Sequence, residues 1–165
     1  MKQYLVALLS LIIVASACTA QQTNKQSAKQ STKPVFLKGK TEAEWKKILT
    51  PTQFEIMVKR GTETPFSNPY ADNHEKGFYV SAATGDTLFS SETKFESGTG
   101  WPSFYAPVGK DKVTVVKDDT YGMSRDEIIE TSTGLHLGHV FNDGPKPTGL
   151  RYCMNSAAFK FIKSK

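Results

Sequence analysis

The sequence predicts a mainly β domain, an antiparallel barrel or sandwich entered through two short helices. Seven short runs rich in Val, Ile, Phe and Tyr lie between residues 77 and 162, divided by Gly, Pro and Asp. No helical apolar period appears between them, which argues against a doubly wound parallel sheet. Two Thr-led helix starts precede them. A length of 165 residues suits one domain. The two Cys allow at most one disulfide, which excludes a disulfide-stapled scaffold and a four-thiolate zinc site.

The first 40 residues read as a leader and a tether. Lys2 precedes a 13-residue apolar run, Leu5 to Ala17, shorter than the ~20 residues that span a bilayer. A basic start, a short apolar stretch and small residues form an export signal over 1–17. Val14-Ala15-Ser16-Ala17-Cys18 resembles a bacterial lipobox, with Ala15 where Leu is usual. In that reading Cys18 is cut free and acylated, and several acyl chains give durable membrane anchoring. Ordinary secretion with a free Cys18 is the alternative. Residues 18–40, rich in Gln, Lys, Ser and Thr, have little to bury and read as a flexible tether.

Charge follows the same division. Of 21 basic and 16 acidic residues, residues 1–40 carry six basic and no acidic ones, leaving 15 against 16 for 41–165. The net +5 therefore belongs to the tether and does not argue for nucleic-acid binding by the domain. Lysines beside an anchor favour an anionic membrane surface, or simply solvate a linker.

In the domain, Thr41-Glu42-Ala43-Glu44 is a capping box, followed by Trp45, Ile48 and Leu49 at helical spacing. Thr50-Pro51-Thr52-Gln53 opens a second helix, with Thr at the cap and Pro at the first position. Phe54, Ile56 and Met57 give it an apolar side, and Gly61 is expected to end it. Residues 62–76 read as an ordered loop. Strands are expected at 77–82, 87–89, 113–117, 127–131, 135–141, 151–155 and 159–162.

Three clusters could carry chemistry. A period of two puts Arg151, Cys153 and Asn155 on one strand face, with Tyr152 and Met154 on the other. A guanidinium beside the thiol favours the thiolate, its reactive form, although a lone strand Cys is commonly inert. In Leu135-His136-Leu137-Gly138-His139-Val140-Phe141 a regular strand would point the two His apart. A bulge at Gly138 would turn both to one side. No convincing third or fourth ligand accompanies them, since His74 lies in a distant loop, so proton handling near neutral pH is the better reading than a metal. In Ser97–Tyr105, Trp101 stands between Gly100 and Pro102, suited to a rigid apolar wall against a ligand.

GTETPFSNPY (61–70), SGTGWPSF (97–104), HLGHVFNDGPKPTGLRYCMNSAAFKF (136–161) and the weaker EAEWKKILTPTQFEIM (42–57) together resemble the type B methionine sulfoxide reductases. The resemblance covers essentially all of 41–165. It implies a zinc-compatible β fold that reduces the R epimer of methionine sulfoxide, chiefly in oxidised proteins, and no cofactor is expected in this chain. It implies Cys153 as nucleophile, His139 and His136 for oxygen protonation and orientation, and Asp143 and Asn155 in the surrounding network. Trp101 and Phe141 would meet the substrate, and Arg151 would support the thiolate.

Two departures carry weight. Many members bind zinc through two Cys-x-x-Cys pairs, whose positions here hold Ser81, Thr84, Glu130 and Thr133, so a zinc-free form is expected. Thr99 stands where many carry a resolving Cys. Recycling is therefore expected from an external thiol, a thioredoxin-like protein outside the cytoplasm. The whole reads as a monomer, lipid-anchored in a bacterial cell envelope. A binding lipoprotein that has lost catalysis and a Cys–His hydrolase are the competing classes.

Overall fold

The computed structural model describes residues 35–165. The signal, the acylation of Cys18 and the tether up to residue 34 lie outside the described residues. At the described end of that segment, the Lys38 amide bonds the Ser132 carbonyl at 2.8 Å and its ammonium pairs with Asp86.

Both helices form as their caps dictate. Helix α1 runs Glu42–Ile48, with the Thr41 hydroxyl accepting from the Glu44 amide and the Glu44 carboxylate accepting from the Thr41 amide. Helix α2 runs Pro51–Met57 with the same reciprocal cap between Thr50 and Gln53. Two such caps satisfy amides that a seven-residue helix cannot pair internally. The second helix stops before the expected Gly61. Arg60, not the glycine, takes the left-handed conformation (φ 59°), while the Gly61 amide reaches back to the Glu55 carbonyl at 3.0 Å.

Nine strands follow: β1 Gly77–Ser81, β2 Thr87–Ser90, β3 Lys94–Phe95, β4 Ser103–Phe104, β5 Val113–Asp118, β6 Arg125–Glu130, β7 His136–Phe141, β8 Arg151–Met154 and β9 Phe159–Lys163. All seven expected strands occur, within a few residues of their expected ends. The short β3 and β4 were not expected, because two residues in a Gly- and Ser-rich stretch show no period. Every pairing is antiparallel, in one sheet ordered β2-β1-β9 and another ordered β3-β4-β8-β7-β6-β5. The sheets do not close into a barrel; they form the sandwich alternative.

An aromatic cluster joins them. Tyr79 of β1 and Phe89 of β2 meet Phe104 of β4 at ring separations of 4.9 and 4.6 Å, with Phe159 of β9 against all three. Such pairs contribute about 0.5–1.5 kcal/mol each beyond the area they bury. Phe104 thereby anchors β4, a two-residue strand with few ladder bonds of its own. Helix α2 packs on β7 and on the 3-10 turn Ser156–Ala158 that follows β8.

Candidate active site

Register builds the centre of the site. Cys153 of β8 pairs with Ser103 on one side and His139 on the other. Direct antiparallel partners point to the same face, so the three side chains form one row. The opposite face carries Phe104, Tyr152 and Val140 toward the core. Met154 is buried in that core, as alternation requires.

The expected bulge in β7 is present, one residue earlier than Gly138. Ile128 pairs with Gly138 and Ile129 with His136, which leaves Leu137 as the extra residue. The two imidazoles consequently share a side, 5.3 Å apart. Gly138 has a different task. A Cβ there would stand 2.2 Å from the Cys153 carbonyl oxygen, so only glycine lets β7 approach β8 this closely.

A second set of bonds places Trp101 and Asn155. Glu63, in the 62–76 loop, accepts the Trp101 indole N–H on its carbonyl at 3.0 Å. Its amide donates to Asn155 Oδ1 at 3.1 Å, and its carboxylate accepts from the Ser156 and Ala157 amides. Burial pushes the Glu63 carboxyl up, against the pull of those amides. Gly100 turns the chain into Trp101 with φ 88°; a Cβ there would lie 2.7 Å from Phe66. Asn155 also donates to the Leu137 carbonyl at 3.1 Å, holding the bulge, and lies 3.5 Å from His136 Nε2. Glu63 was not foreseen; its partners lie 38 and 92 residues away along the chain.

Trp101, His139, Phe141, Cys153 and Asn155 line one pocket of about 130 Å³. Thr99 stands beside it, its hydroxyl 3.8 Å from the Cys153 sulfur. Arg151 and Asp143 sit further back. The guanidinium grips Asp143 through two 2.9 Å bonds and lies over the Phe141 ring at 4.4 Å. Asp143 therefore reaches the pocket only through Arg151, whose hydrogen bond holds its carboxyl below the usual range. Arg151 does favour the thiolate, together with Thr99 and Ser103. Burial outweighs all three and pushes the Cys153 thiol above its ordinary value, so the resting form is the thiol.

Each imidazole has a carboxylate that sequence reasoning missed. His136, 2% exposed, is 2.8 Å from Glu127 through Nδ1. Arg60 approaches the other Glu127 oxygen at 3.1 Å. His139 Nε2 is 2.9 Å from Asp118, which Arg125 holds at 2.7 Å. Burial depresses the His139 imidazolium, and Asp118 opposes that. Asp118 is held well below the usual carboxylate range, first by the Thr120 hydroxyl and then by His139. The signal in the sequence was a charged residue inside an apolar strand, as in Glu127-Ile128-Ile129.

The four positions of the family's zinc ligands do converge. Glu130, 1% exposed, accepts from Ser81 (2.9 Å), Thr84 (2.6 Å), Thr133 (3.0 Å) and Ser132 (3.1 Å). Three hydroxyls and one carboxylate at those positions, with no thiolate or imidazole, do not fit tetrahedral zinc. Among the described residues no group of His, Cys, Asp and Glu is arranged to hold a metal.

A thiol, an indole and an imidazole gathered in one pocket are groups suited to a thiol oxidoreductase. A model of the SelR domain matches residues 49–163. The peptide methionine sulfoxide reductase MsrB of Leptospira interrogans is 56% identical over 124 residues, covering 75% of this chain and 95% of that protein. The MsrB of Methanosarcina barkeri is 55% identical over 122 residues, 74% of this chain and 86% of its own. That of Agrobacterium fabrum is 51% identical over 122 residues, 74% and 90%. The chain belongs to the SelR-domain family, the type B peptide-methionine sulfoxide reductases.

Proposed function

We propose that this protein reduces the R epimer of protein-bound methionine sulfoxide to methionine, with Cys153 as nucleophile. The carrying observation is that Cys153, His139 and Trp101 line one pocket. Trp101 supplies an apolar wall for the S-methyl group, and Phe141 a second one. The Cys153 thiolate attacks the sulfoxide sulfur; as the substrate S–O bond breaks, the methionine sulfur keeps an electron pair as the thioether and the oxygen ends bonded to the cysteine sulfur, oxidised to the sulfenic acid. The thiol proton passes to solvent, His139 gives a proton to the oxygen and regains one from solvent, so the step balances as thiol plus sulfoxide giving sulfenic acid plus thioether. His136, enclosed by Glu127 and Asn155, serves orientation. Arg151, braced by Asp143, stabilises the thiolate as it forms.

Cys153 is the free cysteine among the described residues. The sulfenic acid then condenses with an external thiol, releasing water, and a second thiol frees Cys153 as a disulfide leaves. A thioredoxin-like protein would fill that role. The leader and Cys18 support acylation and a place in the cell envelope, where the substrates would be oxidised exported proteins. The R assignment rests on the family resemblance.

Separated R and S sulfoxide substrates with dithiothreitol test the reading. Turnover of R alone, loss of one thiol per chain in a single turnover run without the reductant, and no turnover in Cys153→Ser are expected. Equal rates on both epimers, or full activity in Cys153→Ser, would refute it.

A further inference from the structure

We propose that Asp118 is a positioning residue for proton delivery: it fixes the tautomer of His139 and favours its charged form, at the wall between the thiol pocket and a second, polar cavity. This rests on the reading of Cys153 as nucleophile and His139 as acid, and extends it to a residue outside the thiol pocket.

The second cavity, of about 430 Å³, is lined by Arg60, Asp118, Arg125, Glu127, His136 and His139 among others. His139 and Arg125 line both cavities, so the imidazole stands between the sulfur and a space walled by ionisable groups. Asp118 ends β5 and is itself fixed. It accepts from the Thr120 amide at 3.1 Å, the Thr120 hydroxyl at 2.6 Å and Arg125 at 2.7 Å. Its second oxygen meets both Arg125 and His139 Nε2. An ionised carboxylate only accepts, so Nε2 keeps its hydrogen and Nδ1 is the nitrogen that exchanges a proton. The charged groups that face His139 are Asp118 from β5, Arg125 and Glu127 from β6, His136 on its own strand and Cys153 from β8. Burial, Arg125 and His136 oppose the imidazolium, and Asp118 favours it through its hydrogen bond and its charge. When Nδ1 gives its proton to the sulfoxide oxygen, a proton from bulk solvent replaces it, equal to the one the Cys153 thiol released. The reducing electrons come from Cys153 throughout.

Asp118→Asn in the full chain should lower the His139 pKa by about one unit. Imidazole NMR reads this directly, since there are three His to assign. The alkaline limb of the single-turnover rate on the R sulfoxide should move down equally, with a loss of about tenfold on that limb. The pH profile of Cys153 alkylation should stay in place, and Asp118→Glu should recover part of the rate. If Asp118→Asn does not fold, Arg125→Gln tests the same point with opposite sign, moving the limb upward. A folded Asp118→Asn with an unmoved limb and His139 titration would overturn the proposal while leaving the assigned nucleophile intact. Full turnover in Cys153→Ser would instead mean that the reading beneath it has failed.

Discussion

At Cys153, burial raises the thiol pKa while Thr99, Arg151 and Ser103 lower it, and burial is the larger influence. Removing a helper should therefore push the thiol further up. Arg151→Met keeps the apolar stem but removes the charge, and should slow iodoacetamide alkylation at pH 8 on the order of tenfold. Asp143→Asn, which only loosens the guanidinium, should give a smaller shift in the same direction. An Arg151→Met alkylation profile superimposed on the parent would rule out this role. The cysteine and its basic neighbour were legible because they lie two residues apart on one strand. Asp118 and Glu127 were not, because their partnership with the imidazoles is set by pairing between strands.

Between β7 and β8 the constraint is steric. Gly138→Ala would drive a methyl into the Cys153 carbonyl, at a cost of about 1–3 kcal/mol. Thermal unfolding should show the loss, and activity should fall further because the same contact sets the Cys153–His139 pairing. The loop before β4 makes a second prediction. With its hydroxyl 3.8 Å from the sulfur, in a turn set by left-handed Gly98 and Gly100 on either side, Thr99→Cys should form a disulfide with Cys153 after one turnover. Loss of two thiols per chain, read with Ellman's reagent, checks it; loss of one would show that the loop cannot close. The helices and seven strands were legible from caps and periodicity. The bulge was expected at its glycine, yet the extra residue is Leu137, since which residue goes unpaired depends on how β6 registers against β7.

Over the whole molecule, three shifts push stability in one direction. The His139 imidazolium is depressed from 6.5, so on acidification the unfolded chain takes up a proton first and stability falls below about pH 6.5. Asp118 and Asp143 are depressed from 3.8, so their contribution is present above that value and is lost as pH drops through and below it. Urea midpoints from pH 8 to 3 should decline in two stages, and Asp118→Asn should flatten the lower one. A constant midpoint between pH 7 and 5 would contradict the His139 assignment. Glu130 acts at the same scale, because it ties β6 in one sheet to Ser81 of β1 in the other. Glu130→Ala would orphan four buried or half-buried hydroxyls and should cost about 3 kcal/mol, visible as a lower urea midpoint with Cys153 alkylation unchanged.

That clasp also bears on where such a protein can work. A joint made of thiolates and zinc fails under the same peroxides that create methionine sulfoxide, because its sulfurs are consumed and the ion is shed. Glu130 and the four side chains that meet it offer only carboxylate and hydroxyl groups there, which those peroxides leave untouched. That clasp can thus outlast an oxidant that consumes thiolates, and urea midpoints taken with and without a chelator should coincide.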